Sequence, residues 1–62
     1  METYEIYLNG SLIDTDALAG LAYLKYESAR LLGAASLVRV SHNPDPVLGG
    51  RWTYDYANGG WV

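Results

Sequence analysis

Thr3-Tyr4-Glu5-Ile6-Tyr7-Leu8-Asn9-Gly10, followed by the long run Asp16–Leu32, is the part of the chain whose reading decides the fold. In the first stretch Tyr4, Ile6 and Leu8 fall on one side and Thr3, Glu5 and Tyr7 on the other. This period of two marks a half-buried strand. Asn9-Gly10 is the dipeptide best suited to a two-residue hairpin, because both central positions must take positive φ. Ser11-Leu12-Ile13 then reads as a brief returning strand.

Asp14-Thr15-Asp16 reads as a helix start. Asp14 or Thr15 can accept from an orphan N–H as N-cap, and Asp16 suits the positive end of the dipole. The run predicts a helix over Asp16–Leu32, with Gly33 where a left-handed C-terminal residue is wanted. At 100° per residue, Ala17, Leu18, Leu21, Ala22, Leu24, Ala29, Leu31 and Leu32 form an apolar arc. That arc is wider than the roughly 100° stripe a single core contact requires. Tyr23, Glu27 and Arg30 mark the solvent side, and Gly20 costs ~1 kcal/mol relative to Ala inside a helix.

Further along, Ala35–Ser41 predicts a strand with Ser36, Val38 and Val40 on one face and Leu37, Arg39 and Ser41 on the other. His42–Gly50, with two prolines and a Gly-Gly pair, reads as a loop. Arg51–Ala57 predicts a strand with Trp52, Tyr54 and Tyr56 on one face, and Asn58-Gly59-Gly60 turns the chain toward a stub at Trp61-Val62. Tyr4, Ile6, Leu8, Val38, Val40, Trp52, Tyr54 and Tyr56 are assigned to the sheet face that the helix covers. Glu5, Tyr7, Leu37, Arg39, Thr53 and Asp55 are assigned to the opposite face. The outcome is a single α+β domain over residues 1–62, ordered β-α-β-β(-β), with one amphipathic helix on a three- or four-stranded, mostly antiparallel sheet.

A chain of 62 residues exposes about 4,000 Å² when folded and buries about 60% of its extended surface. Burial then contributes roughly 90 kcal/mol, against a similar ~90 kcal/mol for ordering the chain. With no cysteine and one histidine, neither disulfides nor a structural zinc site can supply the margin. Dense packing or association with another chain must do so. Composition favours association: charged residues are 18%, against about 25% in an average soluble domain. The aromatics are six Tyr and two Trp with no Phe, the types that suit half-wet interfaces.

Chemistry is hard to assemble from these residues. His42 is the only histidine, no serine has a nucleophile-elbow setting, and neither Gly-Gly pair has a phosphate-loop pattern. The reading is therefore of a protein that is not an enzyme and carries no cofactor or metal. Four basic side chains on separate elements do not build a phosphate-tracking stripe, so direct nucleic-acid binding is disfavoured. Met1-Glu2-Thr3-Tyr4 has no signal-peptide character and no apolar run reaches membrane-spanning length, so a cytoplasmic location is expected.

Surface recognition remains. One candidate partner-binding surface is the helix face of Ala17, Tyr23, Leu24, Tyr26 and Leu31; a second is the sheet face and tip of Tyr7, Leu37, Arg39, Asp55 and Trp61. A third candidate is an acidic patch of Glu2, Glu5, Asp14 and Asp16, which could imitate phosphates. The leading expectation is a small protein-interaction module, homodimeric, that inhibits or modulates a larger macromolecular partner. Very small phage-encoded inhibitors of host machinery, anti-CRISPR proteins among them, share this profile of size and composition; for such a protein the compartment is the host cytoplasm. The alternatives are a dimeric protein sequestering a nucleotide-like small ligand on Tyr and Arg side chains, with Arg39 or Arg51 on its phosphates, and a self-assembling structural subunit.

Overall fold

In the computed structural model, which describes residues 1–62, the chain forms β1 (Glu2–Leu8), β2 (Ser11–Asp16), α1 (Ala19–Arg30), β3 (Ala35–Ser41), β4 (Gly50–Asp55) and β5 (Gly60–Trp61). The strands make one sheet in the order β2-β1-β3-β4-β5, and every neighbouring pair is antiparallel. One helix packed on one sheet is the α+β layout that the sequence implies. The sheet has five strands rather than three or four.

The Asn9-Gly10 turn has φ of 52° and 84°, as a two-residue hairpin requires. Beyond it β2 runs on to Asp16, through the residues read above as a helix start. Asp14 and Asp16 share the face of Ile6 and Tyr4, their partners on β1, and both reach Lys25 of α1, at 3.1 and 3.0 Å. They tie strand to helix. Asp16 also accepts from the Leu18 N–H at 2.9 Å, turning the chain into α1, whose N-cap is Leu18. Tyr7 faces Leu12 while Ile6 faces Asp14, so Ile13 is the extra residue of a bulge.

Gly33 serves a different purpose from the one expected. Its φ is not positive. Instead a Cβ there would lie 2.8 Å from Asn9 Oδ1, the atom that accepts from the Ala34 N–H at 3.1 Å. Close approach of the hairpin, rather than a left-handed cap, requires glycine.

The phase of β3 is reversed relative to expectation. Ile6 faces Leu37, and Arg39 lies between Tyr4 and Trp52 in the pairing, so Leu37 and Arg39 belong to the helix side. Val38 and Val40 lie on the other face with Glu5, Thr3, Thr53 and Arg51. Apolar residues occupy both parities of this strand. The register that puts Leu37 beside Ile6, under the helix, wins.

The core is Tyr4, Ile6, Ala22, Tyr26, Ala29 and Leu37. Ala22 and Ala29 bring the helix backbone close to β1 and β3, and Ile6 is wholly enclosed beneath them. The helix packs on β1, β2 and β3 but leaves β4 to side chains alone. The fold is consequently elongated, 36 × 22 × 21 Å, with a radius of gyration of 11.5 Å against about 10.6 Å for a compact chain of this length.

Candidate functional site

The helix distributes its apolar residues unusually. Of its twelve residues only Ala22, Tyr26 and Ala29 are buried, while the long aliphatic side chains point elsewhere. Leu24 is 63% exposed, and Leu32 and Leu31, just past the helix, are 74% and 88% exposed. Leu18 and Leu21 are exposed as well, as is Ile13 on the bulge of β2. Ile13, Leu24 and Leu32 line an open groove of about 340 Å³ between β2 and α1, with Asp14, Lys25 and Ser28 alongside. Covering a side chain that is half to three-quarters exposed contributes roughly 1–2 kcal/mol. Five exposed aliphatic side chains, Ile13, Leu21, Leu24, Leu31 and Leu32, thus form an apolar ridge along α1 and β2.

The wide arc read from the sequence is therefore real, and its two halves do different work. Leu24 and Leu31 stand on the open half. Ala17 is exposed in the turn before α1. Tyr26 does not join them: it is 4% exposed and belongs to the core, because it lies on the Ala22–Ala29 side of the helix. Tyr23, also expected at the surface, is half-buried and meets Tyr54 edge-on at 5.8 Å.

The sheet-face and tip residues do not form one surface. Tyr7 lies on the open sheet face, donating to Glu5 Oε1 at 2.8 Å and accepting from Arg51 Nη2 at 3.2 Å. Leu37 is buried under the helix, a correction that follows from the phase of β3. Asp55 organises the β4–β5 turn, accepting from Asn58 Nδ2 at 2.6 Å, while its carbonyl accepts from the Gly59 N–H at 2.8 Å. Trp61 folds back on the helix side, 5.3 Å from the Tyr54 ring and 6.2 Å from Tyr4. Arg39 lies beside it, its guanidinium 5.2 Å from the Trp61 ring and 4.7 Å from Trp52. Only these last two come together.

The four acidic residues are divided too. Glu5 faces Thr15 while its neighbour Tyr4 faces Asp16, so Glu5 is on the opposite side of the sheet from Asp14 and Asp16. Glu5, Asp14 and Asp16 are each matched by a cation. Arg51, followed by the Tyr7 hydroxyl, holds the Glu5 carboxyl below its ordinary pKa. Lys25 and the Thr15 N–H lower Asp14, and the Leu18 N–H and Lys25 lower Asp16. Glu2 accepts from the Tyr4 hydroxyl at 3.4 Å. Glu5 is thus set apart from the other three, and Glu5, Asp14 and Asp16 are already engaged by cations within the chain.

What the sequence reading missed is the aromatic cladding of the part of the sheet that the helix leaves uncovered. Tyr23, Tyr26, Tyr54, Tyr56 and Trp61 meet one another at 5.3–6.5 Å between ring centroids. Arg30 caps them, 3.4 Å above the Tyr56 ring. The alternation of Trp52, Tyr54 and Tyr56 was the signal that these rings share a face.

No three His, Asp or Glu side chains converge in a metal-ligand arrangement, and no helix is long and apolar enough to cross a membrane. His42 meets Thr3, with Nε2 and Oγ1 2.9 Å apart. Comparison with known protein families, with curated proteins and with solved structures gives no match.

Proposed function

We propose that the protein is a small, non-enzymatic interaction module that assembles as a homodimer through the α1–β2 ridge and, in that form, inhibits or modulates a larger protein partner in the cytoplasm. The ridge of Ile13, Leu21, Leu24, Leu31 and Leu32 carries this reading. Apolar surface so concentrated on a chain of this size marks an interaction face. A two-fold axis through such a face lets the same residues cover one another. The elongated outline and small core support the same conclusion: another chain supplies burial that this one lacks. The nucleotide-sequestering alternative is left with Arg39 alone for its phosphates, because Arg51 is taken by Glu5 and Tyr7. Affinity capture with immobilised protein tests the modulatory role. Wild type should retain a stable partner that Leu24→Lys recovers less well; repeated failure of wild type to retain any partner would overturn that role.

A further inference from the structure

Four side chains carry positive charge: Lys25, Arg30, Arg39 and Arg51. Three are matched by carboxylates, Lys25 by Asp14 and Asp16, Arg30 by Glu27 at 3.0 Å, and Arg51 by Glu5. Arg39 has no carboxylate within ion-pair distance. Its strand partners Tyr4 and Trp52 place it on the helix side of the sheet, between the indoles of Trp52 and Trp61. Its Nε is shut off from solvent and has no hydrogen-bond partner. Buried donors are almost always satisfied, so an idle Nε–H on a half-buried arginine needs a reason.

We propose that Arg39, held between Trp52 and Trp61, is a binding site for a single carboxylate, presented by a peptide chain terminus or by a small organic acid. Two indoles flank the guanidinium, which lowers the ordering cost an exposed arginine meets when it binds. With the Nε edge closed, the two terminal Nη groups of the planar fork are the donors that match a carboxylate end-on. Partial burial lowers the screening of the attraction relative to a fully hydrated arginine. A single charge favours carboxylate over phosphate: the other three cations are engaged elsewhere, and the chain carries a net −3, which opposes a dianion. The site is on the part of the sheet beyond α1, so it is separate from the ridge of the preceding reading and does not depend on it.

The test follows the Nε–H signals of the three arginines and the indole N–H signals of Trp52 and Trp61 by NMR in the wild-type protein. Probes are acetate, acetyl-Ala-Ala with a free terminal carboxylate, its amide, phosphate, and chloride at matched ionic strength. Acetate or the free-acid peptide should move Arg39 and both indoles along a saturating curve, at least threefold further than Arg30 and Arg51. The amide and chloride should not. Tighter saturation by the peptide than by acetate identifies a chain terminus as the source; equal saturation identifies a small acid. Arg39→Lys, which keeps the charge without the fork, should abolish saturation, and the comparison among wild-type arginines stands without it. Equal, non-saturating shifts at all three arginines would overturn the assignment, as would a stronger response to phosphate than to acetate.

Discussion

Replacing Gly20 and Gly33 by alanine, one at a time, should move stability in opposite directions. Gly20 lies in the first turn of α1, and a Cβ added there meets nothing within 4 Å. Alanine at that position should stabilise by roughly 0.5–1 kcal/mol, by helix propensity and reduced freedom of the unfolded chain. At Gly33 the added Cβ would sit 2.8 Å from Asn9 Oδ1 and 3.1 Å from Nδ2. Asn9 is not free to yield: its N–H donates to the Ala34 carbonyl at 2.7 Å, its Oδ1 accepts from the Ala34 N–H, and its φ is 52°. Swinging the amide aside forfeits a hydrogen bond of about 0.5–1.5 kcal/mol, partly offset by ~0.4–1 kcal/mol from the unfolded chain. The two variants should therefore differ by roughly 1 kcal/mol, about 4–8 °C in Tm for a domain of this size. Calorimetry at matched protein concentration reads that difference. Asn9→Gly supplies the control, because it keeps the positive φ and removes the amide; on that background Gly33→Ala should become neutral or stabilising. If Gly33→Ala stabilises as much as Gly20→Ala while Asn9 is present, the close approach does not constrain the turn and the reasoning fails.

Other perturbations probe the remaining parts of the fold. Ala22→Leu overpacks a fully enclosed position and should lower stability by about 1–3 kcal/mol, whereas Leu24→Ala, at a mostly exposed position, should cost the monomer no more than ~1 kcal/mol; the reverse order in urea unfolding would contradict the packing described. The depressed carboxyls of Glu5, Asp14 and Asp16 mean that the unfolded chain takes up protons first as pH falls. Their contribution is complete above the ordinary carboxylate range near pH 4 and is lost as pH drops through the lower folded values. The urea midpoint should hold at neutral pH and fall below about pH 4, and Glu5→Gln should flatten that acid limb; an undiminished midpoint in strong acid would refute this. Tyr54→Leu should lower Tm more than Tyr56→Leu, since Tyr54 touches the rings of Tyr23, Tyr26, Tyr56 and Trp61 and Tyr56 is exposed.

Much of this architecture is legible in the sequence where one pattern has one meaning. Alternation over Thr3–Leu8 and the Asn9-Gly10 pair leave little choice, and β1 and its hairpin form as read. Ambiguity enters where a residue type serves two structures equally well. Asp14-Thr15-Asp16 is a good helix start and also a good strand end when a lysine stands opposite. The spacing of two, which puts both carboxylates on one side of a strand, was the clue. Leu37, Val38 and Val40 occupy both parities of β3, so no local rule fixes its phase, and only pairing with Ile6 does so. The excess width of the helical arc is visible in the sequence, but which half turns inward is not. Small Ala22 and Ala29 go inside because they admit the backbone to the sheet, leaving the leucines out. Hydrophobicity alone ranks these the other way round.

The central claim, that the ridge on α1 and β2 meets a second copy, is tested most directly by light scattering on purified protein at tens of micromolar. Wild type should show twice the 6.8 kDa chain mass, and Leu24→Lys should return to a single chain with an unchanged circular dichroism spectrum. A wild-type monomer at that concentration, or a dimer that Leu24→Lys leaves intact, would contradict the account.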